Sequence, residues 1–143
     1  MWEIQIQQNY NKNIITINDA ILKAMNRHTT KKDILILMRK LRSINGLAIR
    51  TTFIVGFPGE TDEDFAATLD LVRRVRFDSA FCFKYSPRPG TPASKAEDNV
   101  PETIKDERLQ ALLELLREQS REGMAQQVGK STEVLIESKS PSP

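Results

Sequence analysis

The chain has 143 residues, 39% hydrophobic and 28% charged, with Lys and Arg outnumbering Asp and Glu by only 21 to 19. That is the make-up of one ordinary globular domain, and the charge surplus is too small to announce nucleic acid. A lone cysteine, Cys82, excludes an internal disulfide framework and a thiolate-held iron–sulfur cluster built by this chain alone.

No apolar run approaches the ~18 residues of a membrane span. The opening MWEIQIQQNYNKN has no basic start leading into an apolar stretch, so no secretory signal is expected and the cytoplasm is the default. In residues 1–17, Trp2, Ile4 and Ile6 alternate with polar residues as in a half-buried strand, and an Asn- and Gln-rich loop follows. From Asn18 the signals sharpen. Asn18 or Asp19 caps a short helix whose apolar face is Ile21, Leu22 and Met25. Thr30 and Asp33 then have capping-box spacing before a helix with Ile34, Leu37, Met38 and Leu41 on one face. Asn45-Gly46 stops it, and residues 48–56 (AIRTTFIVG) are rich in β-branched side chains and predict a strand.

Phe57-Pro58-Gly59 breaks that strand, and Thr61 with Asp64 opens a third helix with Phe65, Leu69, Val72 and Val75 as its apolar face. A second strand, residues 79–85, puts Phe81, Phe83 and Tyr85 on one face and Ala80, Cys82 and Lys84 on the other. The Pro-rich SPRPGTPAS loop leads to Pro101 and a helix over about 101–127, striped by Leu109, Leu112, Leu113 and Leu116. STEVLIES, residues 131–138, reads as a last strand before a polar tail. Strands about thirty residues apart with helices between them imply a parallel sheet. Two or three such units cannot close an eight-stranded barrel, so the pattern is that of part of a larger α/β architecture.

Two loops carry the chemistry. IVGFPGETDEDF (54–65) leaves the C-terminal end of a strand, where parallel α/β proteins bind ligands. Gly56 and Gly59 lack a Cβ and would let a ligand approach the backbone; a tight turn with a good cap explains them equally well. It is no phosphate loop, since no Gly-Lys-Ser/Thr follows and three acids begin the helix. FKYSPRPGTPA (83–93) holds Arg88 between two prolines, a stiff mount for a guanidinium that grips carboxylate or phosphate. Taken alone, a solvated Arg in a connection is the commoner case. His28 in a helix–helix connection fits a surface residue, Cys82 a packed thiol, and the last leucine stripe simple packing.

Together LKAMNRHTTKKD (22–33), TTFIVGFPGETDEDF (51–65), VRFDSAFCFKYSPRPGTPA (75–93) and VPETIKDERLQALLELLREQS (100–120) resemble the radical-SAM methylthiotransferases in order and spacing. Arg88 resembles the branch that methylthiolates isopentenyladenosine beside the tRNA anticodon; the ribosomal-protein branch usually has an acid there. The resemblance implies a partial barrel: residues 18–128 as the C-terminal part of a radical-SAM βα barrel, 129–143 as the first strand of an RNA-binding TRAM domain, and 1–17 as divergent or non-native. It implies S-adenosyl-L-methionine (SAM) and [4Fe–4S] clusters as cofactors of the parent enzyme, with the cluster ligands absent from this chain. The parent reaction would be radical cleavage of SAM, hydrogen abstraction from C2 of the modified adenine, and insertion of sulfur that carries a methyl group from a second SAM.

By the same resemblance Arg50, Thr52, Ile54, Val55, Gly56 and Tyr85 would face SAM, and Ser86 and Arg88 the tRNA. Glu60 departs by one position from the general radical-SAM spacing, and no role is assigned to it. The chain alone is expected to be inactive. The alternatives are a noncatalytic RNA-binding remnant, one subunit of a split enzyme whose cysteines lie on a partner chain and, within the family, a ribosomal-protein methylthiotransferase.

Overall fold

A computed structural model describes residues 18–44 and 47–131. The expected strand in residues 1–17, the Asn45-Gly46 stop and most of the expected strand 131–138 lie outside the described residues.

Four helices and two strands follow in the expected order: α1 (Asp19–Ala24), α2 (Lys31–Arg42), β1 (Arg50–Val55), α3 (Asp62–Val75), β2 (Ser79–Lys84) and α4 (Glu102–Ala125). The caps form as expected. Asn18 accepts from the Ala20 and Ile21 N–H groups, and Thr30–Asp33 and Thr61–Asp64 both close reciprocal capping boxes. The Pro-rich loop contains one element the sequence did not announce, a single 3-10 turn over Pro92–Lys95 capped by Thr91.

β1 and β2 pair in parallel, with Arg50 opposite Ser79 and Val55 opposite Lys84. β1 is shorter than the expected 48–56 at both ends. Before it, the Ile49 N–H is held by the Asp78 carboxylate at 2.7 Å; after it, Gly56 at φ 72° turns the chain out of extended geometry.

The helices cover one face of this ribbon. Phe53 and Val55 of β1 pack there with Leu71, Val72 and Val75 of α3, Leu112 of α4, and Ile34 and Met38 of α2. The Phe53 ring meets Phe77 edge-on, with centroids 5.5 Å apart. Arg42 fastens the far end: its Nε donates to the Val75 carbonyl at 2.8 Å, another guanidinium nitrogen donates to the Arg76 carbonyl, and Nη1 pairs with Asp78 at 3.2 Å.

Three helical faces are rotated from expectation. In α2, Ile34 and Met38 are buried, but Leu37 is 41% exposed and Leu35 packs on the core instead. In α3 the buried residues are Thr68, Leu71, Val72 and Val75, with Phe65 and Leu69 only half-buried at the edge. In α4 the buried line is Lys105, Arg108, Leu112 and Gln119, so two cations occupy the positions nearest the sheet.

Candidate functional site

The two strands end together, and the open sheet face leads to that end. Arg50, Thr52 and Ile54 alternate with the buried side of β1, and the register sets Phe81 beside Thr52 and Phe83 beside Ile54. Phe81 and Phe83 are 57% and 53% exposed. Large aromatic side chains left bare in a row make a flat apolar surface with one cation at its edge. That cation, Arg50, donates from Nε to the Ser79 hydroxyl at 3.0 Å.

Val55 is not brought to this face. Its side chain is buried among the helices, and its carbonyl accepts from the Tyr85 N–H at 2.8 Å. Tyr85 is likewise engaged: its ring stands edge-on to Phe57 with centroids 5.0 Å apart, and its hydroxyl donates to the Ala93 carbonyl at 3.0 Å. Ser86 and Arg88 are exposed on the loop above. The Arg88 carbonyl receives the Thr91 hydroxyl at 2.8 Å, which folds residues 88–91 into a turn with Arg88 exposed at its start.

Gly56 corrects the expectation of a ligand approaching through its missing Cβ. A Cβ there would stand 2.3 Å from Lys105 Cγ, so the space belongs to the stem of Lys105. Gly59, at φ 84°, has nothing within 4 Å of that position and fits the open-approach reading.

Beneath the turn lies a polar scaffold. Glu60 is buried and accepts from the Gly56 N–H at 2.7 Å and from Arg108 Nη1 at 2.8 Å. Arg108 also donates to Asp62 at 2.7 Å and to the Glu60 carbonyl at 3.1 Å. Burial is the largest influence on the Glu60 carboxyl and holds its pKa above the usual value, while Gly56 N–H and Arg108 pull it down. Glu60 thus shapes the turn and faces away from the open sheet face.

A second set surrounds Lys105, whose ammonium pairs with Asp98 at 2.6 Å and Glu102 at 2.7 Å. Glu102 shares its other oxygen with Lys84 at 3.3 Å, and Lys84 reaches Asp106 at 2.7 Å. Lys105 and Arg108 lie within the 100–120 motif but carry no role in the sequence reading, and neither do their acids Asp98, Glu102 and Asp106. A signal is present all the same, since both fall three or four residues apart on the line leading to Leu112, and a cation turned inward on a helix requires an acid within reach.

A [4Fe–4S] cluster does not fit these residues. Cys82 lies on the helix side of β2, half-buried, with burial pushing its thiol up to about 11. Among the described residues no three His, Cys, Asp or Glu side chains group as a metal site, and no helix is long and apolar enough to cross a membrane. On the open face the exposed Phe81 and Phe83 rings are free to stack a planar group, while the Val55 carbonyl and the Gly56 N–H at the strand end are already bonded to Tyr85 and Glu60.

A family model described as the Radical SAM superfamily matches residues 8–72. The chain belongs to the radical-SAM methylthiotransferase family. The tRNA-2-methylthio-N(6)-dimethylallyladenosine synthase of Acetivibrio thermocellus is 52% identical over 118 residues, which cover 82% of this chain and 25% of that protein. The proteins of the same name from Pelotomaculum thermopropionicum and Anoxybacillus flavithermus are 50% and 52% identical, over 84% and 86% of this chain and 27% and 24% of theirs. The chain therefore spans about a quarter of the length of the curated relatives it matches.

Proposed function

We propose that this chain forms one side of a radical-SAM barrel in an enzyme that methylthiolates N6-dimethylallyladenosine in tRNA. The observation that carries the proposal is the open face of β1 and β2, with Arg50, Thr52, Ile54, Phe81 and Phe83 running up to the Gly56 turn. The high identity to synthases of that name supports it.

In this reading Ile54 and Phe83 receive the adenine of SAM on an apolar surface, the Thr52 hydroxyl orients its polar edge, and Arg50 closes the far side. SAM, when bound, supplies the methyl group and the radical chemistry. Tyr85 contributes by holding the loop through Ala93, so that Ser86 and Arg88 face tRNA phosphate or ribose. The residues from Gly129 onward would begin a TRAM-like β module. Cluster thiolates would come from elsewhere, either from an upstream part of a longer protein or from a partner chain.

The test is a chimaera in which residues 18–131 replace the matching segment of the Acetivibrio thermocellus synthase. Mass spectrometry of tRNA nucleosides should show the 2-methylthio product, and Arg88→Glu in the chimaera should lower its yield at least tenfold by weakening tRNA binding. A folded, cluster-loaded chimaera that makes no product would refute the assignment.

A further inference from the structure

Lys105 is 1% exposed, yet it is a lysine. Its stem fills the space a Cβ on Gly56 would take. Its ammonium reaches across to Asp98, at the return of the Pro-rich loop, and to Glu102 at the start of α4. The same nitrogen lies 5.8 Å from the centre of the Tyr85 ring, within reach of a cation–π attraction. One side chain thus touches the end of β1, the residue that follows β2, and the base of the loop that carries Ser86 and Arg88.

We infer that Lys105 is a positioning residue that locks the 86–99 loop to the ends of the two strands, fixing where the loop's crest stands relative to the open sheet face. The division of labour within the side chain carries the argument. Packing against Gly56 needs only methylenes, and a leucine or methionine would serve it without burying a charge. The ammonium has its own purpose, and its two carboxylate partners lie on either side of the loop's return. Two further links act at the same place, Gly59 N–H to Asn99 at 2.8 Å and Tyr85, whose N–H bonds the Val55 carbonyl and whose hydroxyl bonds Ala93; among the described residues Lys105 is the one that ties these strand ends to Asp98 through a buried charge. The tether stands on geometry alone; what the loop presents rests on the function proposed above.

Hydrogen exchange on the whole chain, which needs no ligand, tests the tether separately from that function. Lys105→Met keeps the stem and removes the charge. It should speed exchange of the protected amides in 86–99 at least tenfold while leaving 50–56 unchanged. Lys105→Arg should restore protection, and Asp98→Asn, which cuts the tether from its more exposed end, should reproduce the release even if Lys105→Met fails to fold. Unchanged exchange in 86–99 for Asp98→Asn, or faster exchange spread evenly over 50–56 and α4, would overturn the inference.

Discussion

Two glycines three residues apart meet different fates on substitution. Gly56→Ala would bear the strain of a left-handed residue, ~1–2 kcal/mol, together with overlap on the Lys105 stem, which in packed interiors costs ~1–3 kcal/mol. Gly59→Ala faces open space and should bear only the first. Urea unfolding should therefore show Gly56→Ala losing the more, by at least about 1 kcal/mol. Cys82 gives a second readout at this scale. With its thiol near 11 instead of the ordinary 9.0, its thiolate fraction at pH 8 falls about a hundredfold. Alkylation by iodoacetamide should be at least about tenfold slower than that of a free thiol, since the greater nucleophilicity of a more basic thiolate offsets part of that loss, and urea should restore the rate.

At the scale of elements, β1 is the strand on which the core is assembled. Phe53 is fully buried between α3, α4 and Phe77. Phe53→Ala should lower stability by ~3–5 kcal/mol in a urea titration, whereas Phe81→Ala on the bare face should change it little. Among the described residues the two strands, the caps and the helix order were legible in the sequence, because capping boxes and period-two alternation are local signals carried by a few residues. The exact faces of α3 and α4 were not. Leu69 and Leu113 satisfy the helical spacing as well as Leu71 and Lys105 do, and only the placement of neighbouring elements decides which line turns inward. The candidate site divides the same way. That Arg50, Thr52 and Ile54 share a face followed from strand alternation, and their candidate role from the family resemblance, while the Glu60–Arg108 and Lys105–Asp98 pairs join residues 48 and 7 apart in the chain. No periodicity predicts which acid a buried cation will find.

Across the whole molecule, acids gather at the strand ends that carry the candidate site, in Asp62, Glu63 and Asp64 of α3 and Glu102 of α4, while Arg39, Lys40, Arg42, Arg73 and Arg74 occupy the opposite helix ends. This polarity complements the helix dipoles. On the function proposed above, it also leaves Arg88 among the few cations at the acidic end, which suits a site that admits one nucleotide better than one that clasps a long phosphate track. The lysine network gives the molecule an alkaline limit. For Lys84 the Asp106 and Glu102 hydrogen bonds raise the pKa above 10.5; for Lys105 burial works against the charge, but Asp98 and Glu102 outweigh it and the pKa again stands above 10.5. A raised folded-state value means the stabilisation is complete below 10.5 and is lost as pH rises through the folded values. In thermal melts the stability gap between the wild type and Lys105→Met should stay constant from about pH 7 to 10 and narrow above about 10.5.

The parallel register of β1 and β2 offsets partners by 29 residues, from Arg50 with Ser79 to Val55 with Lys84. Such a pairing cannot zip from a hairpin turn; the intervening chain must shorten first, and coiling α3 is how it shortens. The Thr61–Asp64 capping box that begins this helix therefore sets the pace of assembly as well as its end state. In stopped-flow refolding, Thr61→Ala should slow folding by most of the equilibrium loss it causes, with little change in the unfolding rate, so that the order of events in time is written into the first turn of α3.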